Sequence, residues 1–392
     1  MPSGTTGRPG RPVILFLGAP DGGDVQSRTF AGVRRYAAAN DWDAVAAPEA
    51  LARRDVMRAL LARHRPVGCV LDCANRRYEI PQRFFGDVPA VRINPSAVST
   101  QSGTAGFVAV DNEAVARLAF DELCASLPRA CAVIPSSTLA PWSIMRARTF
   151  RALAAAARRP CAEFPVWLGE PNAARAARMR DWLAALPRGT AVFAVTDRLA
   201  TIAAVAAHEA RLRVPQDLAI LGVDDRDDLR ADTPVPISSI KIDFERTGFL
   251  AAKILGERKP QREPKHAVIG PLMVVRRAST RGRGRRAPWI PDAIDIIRAK
   301  AAEGLTAAAL AAQFPVSRNL FERRFREAMG HSVLDEILHV RMEMALTLLA
   351  RPDFPIGAIS DFCGFGCDSD LRKLFRKRMG ISMRRWRAEN IL

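Results

Sequence analysis

From residue 321 to residue 332 the chain reads F-E-R-R-F-R-E-A-M-G-H-S, and fifty residues further on, from 371 to 382, it reads L-R-K-L-F-R-K-R-M-G-I-S. Both stretches place apolar side chains three or four residues apart, which is the spacing of one face of an α-helix. Both also contain a glycine, Gly330 or Gly380, which suits the left-handed position that follows many helices. The repeat therefore predicts two similar amphipathic helices, each ending at its glycine.

A shorter helical pattern and a tight turn precede each of these two helices. The shorter patterns cover residues 306–314 and 356–363, and the turns are at 314–317 and 364–367. A short helix, a tight turn and a basic second helix form a helix-turn-helix unit, whose second helix can enter the major groove of DNA. The alternative is a pair of helical hairpins from an ordinary bundle, whose basic faces would simply be solvated.

The charge of the second unit favours DNA binding. Between Arg372 and Arg387 there are eight lysines and arginines and no aspartate or glutamate, with Trp386 among them. One-sided positive charge on a helical surface is typical of proteins that bind the phosphate backbone. We therefore expect this surface to face DNA, with Arg376 and Lys377 contacting phosphates.

Residues 289–392 resemble the DNA-binding domain of the AraC family. A long central helix, expected over residues 333–350, carries that family's R-x-x-x-A-x-x-L-L pattern at 341–349, and the second unit carries its I-x-x-I-S-x-x-x-G-F pattern at 356–365. The resemblance implies two tandem units that read double-stranded DNA. By position in the pattern, the groove-facing residues are Arg318, Asn319, Glu322 and Arg323 in the first unit and Asp368, Ser369, Arg372 and Lys373 in the second.

The composition is that of a globular protein with a polyanionic partner. The chain has 392 residues, of which 48% are hydrophobic and 26% charged, and its net charge is +18. This length is sufficient for two or three domains with their own cores. The positive charge favours nucleic acid or an anionic membrane surface as the partner. No stretch approaches 18 uninterrupted apolar residues, so no membrane-spanning helix is predicted.

The cysteines indicate a reducing compartment. There are seven of them, an odd and scattered set that does not form a disulfide framework, so we expect a cytoplasmic protein. Two pairs, Cys69 with Cys73 and Cys363 with Cys367, have a spacing that a zinc site could use, but no cluster of histidines lies near them in the sequence. We predict buried free thiols, no metal and no cofactor.

The N-terminal two thirds of the chain predict an α/β fold. Residues 1–11 are rich in glycine and proline and are expected to be disordered. From Val13 onward, continuous apolar runs alternate with helical patterns, which is typical of a parallel, doubly wound sheet. About 260 residues exceed one such sheet domain. We therefore predict two lobes, about 12–109 plus 239–277 for the first and 110–238 for the second, as in periplasmic-binding-protein-like sensors.

Carboxylates follow many of the predicted strands. In parallel sheets, ligands bind at the carboxyl ends of the strands, and carboxylates accept hydrogen bonds from the hydroxyl groups of sugars. For any single aspartate the alternative is a helix cap or a turn residue. The candidate carboxylates are Asp21, Asp24, Asp72, Asp111, Asp197 and Asp224.

Residues 12–277 are similar to the sugar-sensing domain of LacI-type repressors and periplasmic sugar-binding proteins. The similarity is carried by V-T-D at 195–197, by R-V-P-Q-D-L-A-I-L-G-V-D-D at 213–225 and by P-I-S-S-I at 236–240. It implies that the ligand is held by Asp224, Arg146 and the polar Thr196, that Asp111 begins the first helix of the second lobe, and that Trp142 forms either a stacking wall or part of the rim.

A basic linker joins the two predicted domains. Residues 276–288 contain six arginines and no acidic residue, and we place the linker itself at 278–288. A segment rich in glycine, arginine and proline is expected to be flexible and to add phosphate contacts. The DNA-binding domain then occupies residues 289–392.

A LacI-type sensor followed by an AraC-type reader is an uncommon order, and it is similar to that of regulators of xylose use. We therefore predict a cytoplasmic transcription regulator, an activator, controlled by a small sugar such as xylose. Its expected partners are double-stranded DNA, the small-molecule effector, a second copy of the chain in a homodimer and RNA polymerase.

Two alternatives remain open at this point. One is a regulator of the same architecture with a non-sugar effector, such as a purine or a metabolite acid. The other is an enzyme fused to a DNA-binding domain. Against the enzyme, the chain has no G-x-S-x-G nucleophile motif, no phosphate-binding loop of the G-x-x-x-x-G-K type, no H-E-x-x-H motif, and its five histidines are dispersed.

Overall fold

The computed structural model describes residues 11–20, 24–48, 53–74, 78–96, 104–124, 128–138, 140–167, 171–258, 265–280, 289–329, 331–351 and 353–390. These residues form two α/β lobes built on parallel sheets and a helical C-terminal domain, which confirms the predicted fold class. The predicted tail, up to residue 10, and the linker residues 281–288 lie outside the described residues. No helix in the described part of the chain is long and apolar enough to cross a membrane.

The first lobe contains a six-stranded sheet in which all neighbouring strands pair in parallel. Helices cover both faces of this sheet, which is why its central strands carry continuous apolar runs. In the spatial order β11-β5-β4-β3-β1-β2, numbered along the chain, the strands are Lys265–Ile269, Thr104–Val110, Ala90–Ile93, Gly68–Asp72, Val13–Leu17 and Asp43–Ala46. Its helices are α1 (Asp24–Ala39), α2 (Arg54–His64) and α7 (Phe244–Gly256).

The second lobe has the same design, with one exception at the edge of its sheet. In the spatial order β12-β10-β9-β8-β6-β7, its strands are Met273–Val275, Ser238–Lys241, Leu218–Val223, Thr190–Ala194, Ala130–Ile134 and Cys161–Glu163. Strand β12 pairs antiparallel with β10, whereas the other neighbours pair in parallel. The helices are α3 (Asn112–Cys124), α4 (Pro141–Ala156), α5 (Asn172–Ala185) and α6 (Asp197–Glu209).

The chain crosses between the lobes three times, and this changes the predicted lobe boundaries. Backbone hydrogen bonds tie the crossing segments together: the Asp111 N–H donates to the Ile269 carbonyl (2.8 Å) and the Leu272 N–H to the Lys241 carbonyl (2.9 Å). Residues 239–277, predicted to lie together in the first lobe, are therefore divided between the two lobes. Strands β10 and β12 complete the second sheet, and α7 and β11 complete the first.

The second lobe also extends further along the chain than the predicted end at residue 277. Ser279 is fully buried, and its hydroxyl donates to the Ile220 carbonyl at 2.6 Å. The Ser238 N–H donates to the Ser279 hydroxyl at 2.8 Å. Residues 278–280, expected to belong to a flexible linker, are thus held against β9 and β10 by hydrogen bonds that a basic composition does not reveal.

The C-terminal domain contains seven helices in its described part: α8 (Ile290–Lys300), α9 (Ala307–Ala311), α10 (Arg318–Met329), α11 (Val333–Leu349), α12 (Ile359–Phe362), α13 (Asp368–Met379) and α14 (Met383–Asn390). Helices α9 and α10 form one helix-turn-helix unit, α12 and α13 form the other, and α11 joins them. Gly380 ends α13 with φ 73°, as predicted. Gly330, the matching residue, lies outside the described residues.

The two units are held together through buried polar and backbone contacts. The Arg341 side chain, on α11, is 8% exposed and donates to the carbonyls of Ala301 and Leu305, both at 2.9 Å. Gly364, in the second turn, has φ 73°, and a Cβ there would lie 2.6 Å from the carbonyl oxygens of Ala301 and Ala302. The second unit therefore packs directly against the segment that precedes the first unit.

Candidate functional site

A cavity of about 700 Å³ opens in the second lobe where that lobe meets the first, and we call it the cleft. Three of the predicted ligand residues border it: Trp142, Thr196 and Asp224. The indole Nε1–H of Trp142 donates to the carbonyl of Ala74, in the first lobe, at 3.1 Å. The cleft therefore lies at the junction of the lobes, where a ligand could affect their separation.

Arg146 is buried beside the cleft rather than in its wall. Its side chain is 4% exposed, its Nε donates to the Asn112 side-chain oxygen (2.9 Å) and its Nη1 donates to the Val195 carbonyl (2.7 Å). The guanidinium lies 5.2 Å from the centroid of the Trp142 ring. Burial lowers the pKa of Arg146, and the nearby Asp224 opposes that shift. Arg146 thus orients Trp142 and balances the charge of the carboxylates.

Asp224 combines burial with an unusual backbone conformation. It is 7% exposed and has φ 110°, a region that side chains other than glycine rarely adopt. Burial raises its pKa to about 6, against the effect of Arg146. Its backbone carbonyl accepts a hydrogen bond of 2.6 Å from Arg28, in helix α1 of the first lobe. Asp224 is therefore a cleft carboxylate whose backbone connects to the other lobe.

Asp197 occupies a different position from the one predicted, because its two oxygens already have protein partners. The Ser239 hydroxyl donates to Oδ1 (2.6 Å) and the Arg226 N–H donates to Oδ2 (2.8 Å). Burial, followed by the charge of Asp224, raises the Asp197 pKa to about 8. These contacts hold the chain that follows β9 against β10. Asp197 therefore stabilises the backbone next to the cleft and does not line the cleft itself.

The other predicted carboxylates that the structure describes do not border the cleft. Asp111 caps α3, since its Oδ1 accepts from a backbone N–H of that helix at 2.8 Å, which is the capping role considered as the alternative. Asp72 is buried with its pKa raised to about 6 by burial, and it accepts from the Ala74 N–H at 3.2 Å. Asp24 forms an ion pair with Arg28 at 2.8 Å. Asp21 lies outside the described residues.

Several cleft residues were not singled out from the sequence. Thr138 and the two serines before it follow strand β6, so the strand-end argument used for the aspartates could have included them. The three arginines of the wall carry no comparable signal, because they come from separate elements and arginine is common throughout the chain. The polar and charged cleft residues that were not predicted from the sequence are Ser136, Ser137, Thr138, Arg175, Arg198 and Arg226.

A second cavity, of about 580 Å³, lies where both lobes meet the C-terminal domain, and we call it the junction cavity. Asp24 and Arg28 of the first lobe, Arg277 of the second lobe and Glu343 of α11 all line it. Ligand-dependent movement of the lobes would therefore change the surroundings of α11.

Direct contacts also join the second lobe to the C-terminal domain. Arg276, at the end of β12, forms a two-fold hydrogen-bonded ion pair with Glu122 (2.8 and 2.7 Å), and its carbonyl accepts from Arg298 of α8 (2.9 Å). Met273 packs against the apolar cluster of the second helix-turn-helix unit. Helix α8 and the second helix-turn-helix unit therefore both contact the second lobe directly, so the DNA-binding domain is held against the sensor domain.

Helix α10 presents the predicted polar residues on its surface. Asn319 and Arg323 are exposed and Glu322 is half-buried, whereas Phe321 and Phe325 are fully buried in the domain core. Arg318, which is 62% exposed, forms an ion pair with Glu322 at 3.0 Å. These two side chains could exchange their mutual contact for contacts with bases or phosphates.

Helix α13 has the same arrangement. Its exposed residues include Ser369, Arg372, Lys373, Arg376 and Lys377, and Arg372 forms an ion pair with Asp368 one turn earlier. Trp386, predicted to lie on the phosphate-facing surface, is instead 5% exposed and packs edge-on against Phe375. A large aromatic side chain completes the small core of this unit, and a charge pattern does not reveal that role.

The two cysteine pairs show no arrangement suited to zinc. Cys69 and Cys73 are buried in the first lobe, and burial raises the pKa of Cys69 to about 12. Cys363 is buried in the last domain while Cys367 is exposed. Over the described ranges, no group of three or more histidine, cysteine, aspartate or glutamate side chains is placed to hold a metal ion.

The fold and the two sites define a class: a DNA-binding transcription regulator with a ligand-sensing domain before a tandem helix-turn-helix domain. Residues 128–280 match the periplasmic binding protein-like domain family, and residues 310–389 match a helix-turn-helix domain family.

The chain is homologous, along nearly its whole length, to the xylose operon regulatory protein of Escherichia coli K12. The two are 26% identical over 385 residues, which is 96% of this chain and 97% of that protein. The structure of the xylose-binding transcription activator xylR superposes with a TM-score of 0.58, at 24% identity, over 97% of this chain and 99% of that one. A transcriptional regulator, CelR, in complex with cellobiose has a TM-score of 0.56 at 22% identity and covers 69% of this chain and 86% of its own.

Proposed function

We propose that the protein is a transcription activator whose cleft binds a small sugar and whose tandem helix-turn-helix units bind DNA in the cytoplasm. The observation that carries the proposal is the full-length similarity to a xylose operon regulatory protein, with both domains in the same order. The protein acts, on this proposal, by binding and not by catalysis. Xylose is the first sugar to test.

The cleft has the chemistry that sugar binding requires. A carboxylate accepts from sugar hydroxyls, an aromatic ring packs against the apolar face of a sugar, and hydroxyl side chains supply further donors. Asp224, Trp142 and Thr196 provide these groups in the lining of the cleft. A volume of about 700 Å³ suits a small sugar.

The coupling route that we propose runs through Arg28. This side chain donates to the Asp224 carbonyl in the cleft and also lines the junction cavity beside Glu343 of the DNA-binding domain. A ligand shifts an equilibrium only to the extent that it binds one state better than the other. A sugar held by Asp224 favours the lobe arrangement that keeps the Arg28 contact, and this arrangement determines how α11 is supported.

The DNA part of the proposal predicts steep salt dependence. Binding of the full chain to duplexes selected from random sequences should weaken strongly between about 50 and about 200 mM salt, because neutralised phosphates release counterions. On the selected site, Arg323→Ala and Arg372→Ala should each cost about 1 to 3 kcal/mol. Arg351→Ala is the control, since Arg351 is exposed and lies between the two units. Salt-independent binding, or equal losses in all three variants, would contradict this role.

The sensing part is tested separately. D-Xylose should raise the melting temperature of the full chain and change its DNA affinity, and Asp224→Ala should weaken that response by at least about ten-fold in xylose concentration. An unchanged response in Asp224→Ala would place the sugar elsewhere.

On the proposal, two copies bind a repeated site and the bound activator contacts RNA polymerase. Footprinting would measure the first, and transcription from a linked promoter would measure the second.

A further inference from the structure

Two adjacent aspartates at the end of strand β9 line two different cavities. Asp224 borders the cleft, whereas Asp225 borders the junction cavity. Both have a positive φ, 110° for Asp224 and 52° for Asp225, in the region that side chains other than glycine rarely adopt. One peptide bond, which we call the 224–225 peptide, therefore separates the ligand site from the cavity that faces the DNA-binding domain.

Contacts from two elements hold the 224–225 peptide in this conformation. Its carbonyl, that of Asp224, accepts from Arg28 of the first lobe at 2.6 Å, and its N–H, that of Asp225, donates to the Ser239 hydroxyl of β10 at 2.9 Å. Backbone conformations of this kind persist only where surrounding contacts fix them. Rotation of the peptide would break both hydrogen bonds and would turn the Asp224 carboxylate away from its present direction. A ligand bound to that carboxylate therefore favours the present conformation of the peptide.

The Asp225 side chain connects this peptide to Arg277. The Nη2 of Arg277 donates to Asp225 Oδ1 at 2.5 Å, and its Nη1 donates to the Ile237 carbonyl at 2.9 Å. Both side chains of the ion pair are largely buried, 10% exposed for Asp225 and 12% exposed for Arg277. Lys241 lies further away, at 3.6 Å from the other carboxylate oxygen. Because charge-assisted hydrogen bonds are short and strong, the position of Arg277 follows that of Asp225.

Arg277 belongs to the segment that leads into the DNA-binding domain. Its N–H donates to the Ser238 hydroxyl at 2.7 Å. The residue before it, Arg276, accepts at its carbonyl from Arg298 of α8 at 2.9 Å. The side chain of Arg277 also lines the junction cavity together with Glu343 of α11. A displacement of Arg277 would therefore reach the DNA-binding domain at both α8 and α11.

We propose that Asp225 and Arg277 are positioning residues that carry the effector signal from the cleft to the DNA-binding domain. Effector bound to the Asp224 carboxylate fixes the 224–225 peptide, and the Asp225–Arg277 pair passes this constraint to the segment that contacts α8 and α11. On this proposal neither residue of the pair touches the effector or DNA. The inference rests on the proposed function, because it names the residues through which the sensing cleft acts. It is separate from the Arg28 contact between the lobes, since both residues of the pair lie within the second lobe.

The test compares the DNA affinity of the full-length protein with and without D-xylose. Coupling between two sites typically changes affinity by about 5- to 150-fold, and we expect a D-xylose effect in this range for the unaltered chain. In Asp225→Asn and Arg277→Gln the effect should fall to within about two-fold of none, because each substitution breaks the pair. Asparagine tolerates the left-handed region, so Asp225→Asn removes the charge and keeps the backbone conformation.

Two measurements separate a signalling role from a merely structural ion pair. Calorimetric titration without DNA should give both variants a D-xylose affinity within about two-fold of the unaltered chain, because Asp225 and Arg277 are not among the described residues that line the cleft. The variant with both substitutions should lose no more of the effect than either single variant, since each removes the same contact. Arg213→Gln is the matched control and should keep the full effect. Arg213 pairs with Asp217 at 3.0 Å, beside the start of β9, and is not among the described residues that line either cavity.

Each of three kinds of result would overturn the proposal. If both variants keep the full D-xylose effect on DNA affinity, the pair does not carry the signal, and the proposed function stands without this inference. If Asp225→Asn loses D-xylose affinity itself, or if Arg213→Gln loses the effect equally, the loss comes from the cleft or from general destabilisation. If D-xylose leaves the DNA affinity of the unaltered chain unchanged, xylose sensing fails together with the signalling role of the pair.

Discussion

Replacing Arg146 with glutamine should destabilise the sensor domain by an amount that grows with pH. The side chain is 4% exposed and makes two hydrogen bonds, to the Asn112 side chain at 2.9 Å and the Val195 carbonyl at 2.7 Å. Glutamine is too short to reproduce both and carries no charge. Breaking a buried charged network by removing one partner typically costs about 3 to 5 kcal/mol.

The pH dependence follows from the carboxylates that Arg146 balances. In the folded protein the pKa is about 6 for Asp224 and about 8 for Asp197, both raised by burial. Near pH 5.5 both groups are largely protonated, so losing the cation costs little electrostatic energy. As the pH rises past about 8 both become ionised, and the variant then loses about a further 1.4 kcal/mol for each unit by which the two pKa values rise together when the cation is removed.

Scanning calorimetry of the full chain measures this effect through the sensor-domain transition. For a domain of this size, about 3 to 5 kcal/mol corresponds to a fall of roughly 6 to 20 °C in melting temperature. Arg148→Gln is the control, because Arg148 is exposed on the same helix and, among the described residues, donates a hydrogen bond only to the Met145 sulfur, at 3.3 Å. The reasoning is refuted if Arg146→Gln destabilises the sensor domain equally at pH 5.5 and pH 8.5, or if Arg148→Gln shows the same pH-dependent loss of stability.

Two further predictions concern buried positions. The pKa of Asp197 is raised to about 8, so this group favours folding at low pH and its contribution is lost as the pH rises toward 8. Asp197→Asn, which can keep both hydrogen-bonded positions, should therefore reduce the decline in stability between about pH 5 and 8 by up to about 1.4 kcal/mol per pH unit. An unchanged slope of stability against pH in calorimetry would show that Asp197 is ionised in the folded protein. Gly364→Ala would place a Cβ 2.6 Å from the Ala301 carbonyl oxygen, at a residue with φ 73°. The substitution should therefore lower the melting temperature of the C-terminal domain and weaken DNA binding. If neither changes, the second helix-turn-helix unit is able to shift away from Ala301.

Local patterns were sufficient for the elements and the DNA-binding motif. The period of the apolar residues around Phe325 and Phe375 is a property of each helix alone, and the turns and the glycine after α13 follow from backbone conformations that neighbouring residues decide. One of the continuous apolar runs of the predicted α/β region forms strand β9, at Leu218–Val223. These predictions succeed because the interactions that decide them connect residues close in sequence.

Tertiary structure decided which lobe each strand joins and what each aspartate does. Asp111, Asp197 and Asp224 have the same side chain at similar strand ends, yet the first caps a helix, the second is held by two protein donors and the third borders the cleft. The cleft likewise exists only because α5, α6 and the end of β9 meet at one cavity. The chain by itself determined where polar groups follow strands, but burial and the available partners set the charge and role of each one, and these depend on contacts between residues far apart in the sequence.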